Sequence, residues 1–114
     1  MPHDWEDRLR DILRASTEIR RFVAGMDEQA FRNDPKTRMA VLAELSVIGD
    51  AAAHLPRHVQ TRRPDVPWEE ICRMRTLVDH AAEGLDGHKV WNVVATGLEP
   101  LEAVVREMVA EAER

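Results

Sequence analysis

The sequence predicts an all-α fold, a single domain over residues 1–114 that forms a bundle of four to five helices. Three observations favour this class. Aromatic residues make up only 4% of the chain, with 5 glycines and no tyrosine. Apolar residues recur at steps of three and four, which is the helical period. No stretch alternates with period two for long enough to predict a strand. A chain of this length can bury a core of its own without staples.

The first predicted helix opens at Asp4, whose carboxylate can cap free backbone N–H groups. Gly25 and Asp27 are expected to end it, and Asp27 can cap a short turn that carries Phe31. Its apolar stripe comprises Trp5, Leu9, Ile12, Leu13, Ile19, Phe22, Val23 and Met26.

The second predicted helix begins at Asp34-Pro35, a capping residue followed by proline at the first helical position. The helical period continues to Pro56, and a polar connector with room for one short helix follows. The apolar residues of this helix are Met39, Leu42, Leu45, Ile48, Ala52 and Leu55.

The remaining helices are predicted from Pro67 and from Val90, separated by a turn-rich break at residues 83–87. Gly97 and Pro100 are expected to bend the last helix or split it in two. The helix from Pro67 carries Trp68, Ile71, Met74 and Val78, and the last one carries Val90, Val94, Leu101, Val105 and Met108.

Composition excludes several classes of protein. The single cysteine, Cys72, excludes an internal disulfide. The net charge of −5 excludes a global attraction to nucleic acid, although it leaves room for a local basic patch. No apolar run is long enough to cross a membrane, and the N-terminus lacks a signal-peptide core. We therefore expect a cytoplasmic protein in a reducing compartment.

The histidines and tryptophans taken alone predict no special site. His54 and His58 are four apart, but a proline separates them and no third ligand follows, so we expect no metal. His3 and His88 are expected at the surface. Trp5, Trp68 and Trp91 are best explained as core anchors on three helices. No phosphate-binding loop or catalytic elbow is present, and we expect no cofactor.

Arg75 and His80 lie on the helix predicted from Pro67. On an ideal helix they point about 140° apart. The side chains that face each other are then Arg75 with Asp79 and Thr76 with His80. From spacing alone, Arg75 and Asp79 are expected to form a surface ion pair. His80 is expected near the C-terminus of the helix, where the charged form of histidine is favoured.

An ordered set of segments changes that interpretation, because together they resemble the HepT-like branch of the HEPN proteins. This family comprises small all-helical ribonuclease toxins encoded beside a minimal nucleotidyltransferase antitoxin. The matching segments are residues 8–13, 19–25, 45–52, 55–56, 64–68, 74–75, 90–91 and 98–101. The second helix ends Ile48-Gly49-Asp50-Ala51-Ala52, where the family usually shows I-G-E-A-A.

The resemblance implies a catalytic pair. Arg75 and His80 match the family's R-x4-H signature, which cuts RNA without a metal in a cleft formed by a homodimer. Carried over, His80 is the general base on the ribose 2′-OH or the acid on the leaving oxygen. Arg75 neutralises the charge that builds on phosphorus. RNA is then the substrate, and a nucleotidyltransferase antitoxin is the protein partner.

Three positions depart from the family pattern. Thr76 stands in place of the usual asparagine, Ala82 in place of the usual tyrosine, and Ser46 where many relatives have an acidic residue. They favour an alternative: a degenerate relative that binds nucleotide, RNA or the nucleotidyltransferase without cutting. Since the chain has no tyrosine, the adenylylation of tyrosine by which related antitoxins silence their toxins is impossible here.

The segment from Arg57 to Arg75 is the basic region of the chain and flanks the motif. A solvated helical face would look the same, and a plain helical interaction module stays open as a third hypothesis. RNA bound here is expected to show strong salt dependence. The predicted supporting or RNA-binding residues are Thr76, Asp79, Arg73, Arg62, Arg63 and Asp50.

Overall fold

A computed structural model describes residues 4–114, which are helical and contain no strand. Four helices have nine residues or more, namely α1 (Asp4–Phe22), α3 (Pro35–Ala53), α6 (Met74–Ala82) and α8 (Leu98–Ala112). The shorter elements are α2 (Glu28–Arg32), α4 (Arg57–Gln60), α5 (Trp68–Cys72), α7 (Gly87–Asn92) and a π-helical turn (Val93–Gly97). The predicted all-α class is confirmed. The four long helices agree with the predicted four to five helices, and the short helices were not predicted individually.

The core lies where α1 packs along α3 and α8, while α3 also contacts α5 and α6. Burial of apolar side chains along these faces supplies the main stabilisation of the bundle. The largest apolar side chains that are fully buried are Phe31, Leu9, Ile12, Ile19, Leu45, Ile48 and Leu98. Trp5 and Trp68 are buried, and Trp91 packs on Phe31 with ring centroids 5.4 Å apart. The prediction that the three tryptophans anchor the core is confirmed.

Two of the predicted caps form. The Asp27 carboxylate accepts a hydrogen bond of 2.8 Å from the backbone N–H of Ala30 and so begins α2. The Asp34 carboxylate accepts from both the backbone N–H and the hydroxyl of Thr37 at the start of α3. These bonds stabilise the carboxylate and lower the pKa of Asp34.

The single helix predicted from Pro67 is wrong, because the chain breaks between α5 and α6. At the junction Arg73 leaves helical geometry with φ −81° and ψ 6°, and its carbonyl accepts a hydrogen bond of 3.0 Å from Thr76 N–H. Arg75 and His80 therefore belong to a separate nine-residue helix that begins at Met74. No proline or glycine lies at the break, so local sequence does not impose it.

Close packing at Gly49 accompanies the break. A Cβ atom at this position of α3 would lie 3.3 Å from the Met74 Cβ and 3.4 Å from the Ile71 carbonyl oxygen. Only glycine lets α3 approach the α5–α6 junction this closely without a shift of its neighbours. The side chains of both Ile71 and Met74 are buried there.

The predicted disturbance near Gly97 and Pro100 takes the form of the π-helical turn, which joins α7 to α8 without a gap. Pro100 has no N–H to donate to the carbonyl four residues earlier, which loosens the helical ladder at this point. Within the π-helical turn, the Thr96 hydroxyl donates to the Asn92 carbonyl at 2.7 Å.

We expect Gly49→Val to destabilise the protein by about 1–3 kcal/mol, because its side chain would overpack the junction of α5 and α6. The matched control is Ala43→Val on the exposed face of the same helix. Chemical denaturation followed by circular dichroism measures both. Equal unfolding free energies for the Gly49 and Ala43 variants would show that the close approach does not constrain the fold.

Candidate active site

A groove of about 890 Å³ runs between α5 and α6 on one side and α7, the π-helical turn and α8 on the other. Its apolar lining includes Ile71, Met74, Leu77, Val93, Leu98 and Leu101. Its polar lining includes Arg73, Thr76, His80, Asp86, Lys89 and Asn92. Asp65 and Glu70 also line it, so the groove combines apolar surface with a histidine, three carboxylates and two cations.

His80 is placed at the groove by the last turn of α6, with about half of its side chain exposed to solvent. Its Nδ1 lies 2.9 Å from the Asp86 Oδ2. The side chain of Asp86 is 28% exposed, so the pair is only partly screened by water. A histidine held through one ring nitrogen presents the other for proton exchange.

A tight loop returns Asp86 to His80. Gly84 and Asp86 both have positive φ, 88° and 57°, and the Leu85 N–H donates to the His80 carbonyl at 2.8 Å. Aspartate is among the few side chains that tolerate this left-handed backbone. Sequence analysis missed Asp86, although its place beside two glycines in the 83–87 turn was a signal.

Arg75 does not line the groove. Its guanidinium reaches the opposite way, where Nη1 lies 3.6 Å from Oδ1 of Asp50 on α3. Both side chains are well exposed, 71% and 61%. The predicted pair of Arg75 with Asp79 is wrong, because the close approach of α3 brings Asp50 to Arg75 instead. Asp79 is exposed and forms no ion pair with any described residue.

The other two positions of the extended motif, Thr76 and Ala82, line different pockets. Thr76 lines the groove together with His80, in keeping with their predicted facing positions. Ala82 instead lines a smaller pocket of about 160 Å³. That pocket is also lined by Phe31, Met39, Leu42, Ala81 and Leu85. The position where relatives carry tyrosine therefore faces a different pocket from the one that His80 lines.

Most arginines of the basic segment are engaged within the chain. The Arg62 guanidinium carbon lies 5.8 Å from the ring centroid of Trp5. Arg63 pairs with Asp65 at 2.9 Å and with Glu107 at 2.5 Å. These bonds raise the pKa of Arg63 and lower that of Asp65.

Arg73 lies in the groove and pairs with Glu69 at 3.5 Å, with both side chains exposed. Of the three arginines predicted to support RNA binding, only Arg73 lines the groove together with His80. Arg62 and Arg63 lie outside it.

The other histidines and the cysteine lie apart from the groove's His80 where the structure describes them. His54 and His58 are exposed, and His88 bonds to Glu28 at 2.9 Å. The prediction for His3 falls outside the described residues. Burial raises the pKa of the Cys72 thiol, which favours its protonated form. Within residues 4–114 no group of three or more metal-binding side chains comes together. No helix in that part of the chain could span a membrane.

The chain is similar to known proteins over most of its length. The family described as Ribonuclease HepT-like matches residues 12–108. A protein of Thermococcus cleftensis named "Probable ribonuclease HepT" is 34% identical over 82% of this chain and 86% of its own length. A protein of Methanocaldococcus jannaschii named as a candidate RNase is 30% identical over 92% and 90%, respectively. No solved structure matches this chain significantly.

The chain therefore belongs to the HepT-like ribonuclease family. The resemblance noted from its ordered segments is confirmed. Membership in a family of ribonucleases indicates RNA as the class of substrate.

Proposed function

We propose that the protein is a metal-independent endoribonuclease whose active site is built on His80 and Arg75. The observation that carries this proposal is the contact between His80 and Asp86 at the edge of a large groove, in a chain of the HepT-like family. A carboxylate-held imidazole is suited to general acid–base work. It needs no metal to activate the ribose hydroxyl.

The proposed reaction is attack by the ribose 2′-oxygen on the adjacent phosphorus. His80 takes the 2′-OH proton as the O2′–P bond forms. The P–O5′ bond breaks, and the leaving 5′-oxygen receives a proton from an imidazolium or from water. The products are a 2′,3′-cyclic phosphate and a 5′-hydroxyl. Arg75 stabilises the extra negative charge on the phosphorane oxygens.

The positions of Arg75 and His80 support a site that two subunits complete. In one chain His80 lines the groove while Arg75 faces α3 and Asp50. An exposed ion pair contributes at most about 1 kcal/mol, so Arg75 can leave Asp50 for a phosphate at little cost. Because Arg75 lies on the face of α6 away from the groove, a second copy that completes the site would have to bring its own Arg75 to this His80. We therefore propose a homodimer.

Two groove residues support RNA binding. Arg73 and Lys89 line the groove, and their own side chains are exposed. Arg73 contacts the exposed Glu69 at 3.5 Å, and Lys89 contacts the half-buried Asp86 at 3.9 Å. Thr76 can contribute one hydroxyl to a phosphate or base. Asp79 and Asp50 are proposed to support the Arg75–His80 pair. Arg62 and Arg63 are proposed to contact RNA outside the groove.

The proposed setting is a toxin paired with a minimal nucleotidyltransferase antitoxin. Because the chain has no tyrosine and Ala82 lies in the smaller pocket, the partner cannot act by modifying a tyrosine at that place. Masking of the groove by direct binding is the simpler mechanism. The exposed hydroxyl of Thr76 in the groove is the nearest alternative acceptor.

A second candidate function is a non-cleaving protein that binds RNA, nucleotide or the nucleotidyltransferase partner. The observations that favour it are Thr76 and Ala82 in place of the amide and phenol of the extended motif. The internal pairing of Arg63 also weakens the basic surface available to RNA. The two candidates differ in whether RNA is cut.

We expect RNA cleavage that persists in excess EDTA and depends on both residues. Arg75→Ala should slow it about 10²–10³-fold by removing charge stabilisation. His80→Ala should slow it about 10²–10⁴-fold by removing proton transfer. A labelled RNA assay measures the rates, and detection of a 2′,3′-cyclic phosphate identifies the route.

An exposed arginine outside both the groove and the basic segment serves as the matched control for this assay, and Arg106→Ala should cut RNA at the parental rate. Loss of cleavage in EDTA, or parental rates for Arg75→Ala or His80→Ala, would refute this mechanism. Absence of cleavage by the parent would favour the non-cleaving alternative.

We expect a homodimer of about 26 kDa in solution, twice the 13.0 kDa of the chain. Multi-angle light scattering at micromolar concentration measures the mass. Leu77→Glu should shift the mass toward the monomer, because this partly buried groove side chain would place a charge in the apolar contact. Ala43→Glu on α3, outside the groove, is the control. A parental mass near 13 kDa would refute the dimer.

We expect the mass of the protein to be unchanged after co-expression with a neighbouring nucleotidyltransferase, since the proposed inhibition is by masking. Intact-mass spectrometry measures this directly, and co-purification reports the complex. Addition of one or more adenylates, mapped to Thr76 or to any other side chain, would replace masking with modification.

A further inference from the structure

We infer that Asp86 is the positioning residue of the site, which holds the His80 imidazole so that Nδ1 carries the proton and Nε2 exchanges one with RNA. The inference rests on the proposed role of His80. It adds a residue that lies outside the R-x4-H signature and six positions beyond the histidine. Asp86 acts through His80 and does not itself touch the reacting atoms.

The first support is the contact itself. The 2.9 Å separation between Nδ1 of His80 and Oδ2 of Asp86 is a hydrogen-bond distance. An ionised carboxylate can only accept, so Nδ1 must be the donor. The neutral imidazole then has its lone pair on Nε2, which is the nitrogen that can take the 2′-OH proton. After that transfer, Asp86 stabilises the imidazolium.

The second support is the construction of the loop. The chain leaves α6, turns at Gly84 and places Asp86 at φ 57° immediately before α7. The Asp86 side chain makes no capping bond to α7. Its carboxylate is turned instead to His80, while the Asp86 carbonyl accepts from Val90 N–H at 3.0 Å.

The third support is that the two contacts of Asp86 use different oxygens. The Lys89 Nζ lies 3.9 Å from Oδ1 of Asp86, the oxygen that does not face His80. Lys89 therefore does not compete with the imidazole for Oδ2. His80, Asp86 and Lys89 all line the groove.

Asp86→Asn tests the inference because it keeps size and backbone preference. Asparagine tolerates left-handed backbone as well as aspartate does, so the fold should be retained. The amide can donate as well as accept, and it therefore permits the wrong tautomer of His80. We expect kcat for RNA cleavage to fall about 10–100-fold with little change in KM. Asp86→Gly, which suits the backbone still better, should lose as much activity.

The matched control is Glu83→Gln, an exposed carboxylate in the same loop that forms no ion pair with a described residue. It should leave kcat and thermal stability unchanged. A purely structural role for Asp86 predicts the opposite pattern to ours: a lower melting temperature for Asp86→Asn and an unchanged kcat. Either that pattern or a parental kcat in both Asp86 variants would overturn the inference.

A second readout separates this inference from the proposed function. Nitrogen-15 NMR of histidine-labelled protein reports the tautomer of each ring, and His80→Ala assigns the signal. We expect the Nδ1–H tautomer for His80 in the parent and in Glu83→Gln, and a shift toward the Nε2–H tautomer in both Asp86 variants. An Nε2–H tautomer in the parent would overturn the inference.

The outcomes of the two proposals are distinguishable. If the parent cuts RNA and needs His80 but not Asp86, the proposed nuclease stands and the positioning role falls. If the parent cuts no RNA, the nuclease falls, and the tautomer measurement still decides whether Asp86 orients the imidazole.

Discussion

The close approach of α3 to the α5–α6 junction at Gly49 is the constraint on which the site depends. With a Cβ atom only 3.3 Å from the Met74 Cβ, any larger side chain would push the two elements apart. Met74, the first residue of α6, is buried at this contact. Asp50, the next residue of α3, lies beside Arg75. The close approach at Gly49 thus accompanies the placement of Arg75, which lies twenty-six positions later in the chain.

The helix α6 presents different side chains on two of its faces. One carries Thr76 and His80 into the groove, and the other carries Arg75 toward α3. Arg75 and His80 are five residues apart, which separates their side chains by about 140° around the helix. The helix α6 continues to Ala82, so no unwinding at its end brings the two together. A mechanism that uses both therefore needs movement of the Arg75 side chain or a second subunit. The weak, exposed pair with Asp50 makes the first of these inexpensive.

The sequence predicted most of the fold but only part of the site. Strong local signals, such as the Asp27 and Asp34 caps and the apolar stripes, specify helices whose partners follow from burial. The helix break at Arg73 was missed because no proline or glycine near it signals a break. The feature that accompanies it is the packing against Gly49, which is distant in sequence. Asp86 was missed because a turn brings it back to His80. The burial of Glu102 was also missed. Its side chain is 1% exposed and bonded to Arg20 and Thr17, but its neighbours in the sequence do not distinguish it from a surface glutamate.

Charge pairing indicates which cations can serve an RNA substrate in a chain of net charge −5. Arg63 holds two carboxylates at 2.9 and 2.5 Å and links its connector to α8, so a phosphate would have to displace both. Arg73 and Arg75 each hold one exposed carboxylate at 3.5 Å or more. A phosphate can replace such a partner with little loss, because the carboxylate returns to water. In the proposed nuclease, the weakly paired Arg73 and Arg75 are therefore better placed than Arg63 to exchange a carboxylate for a phosphate.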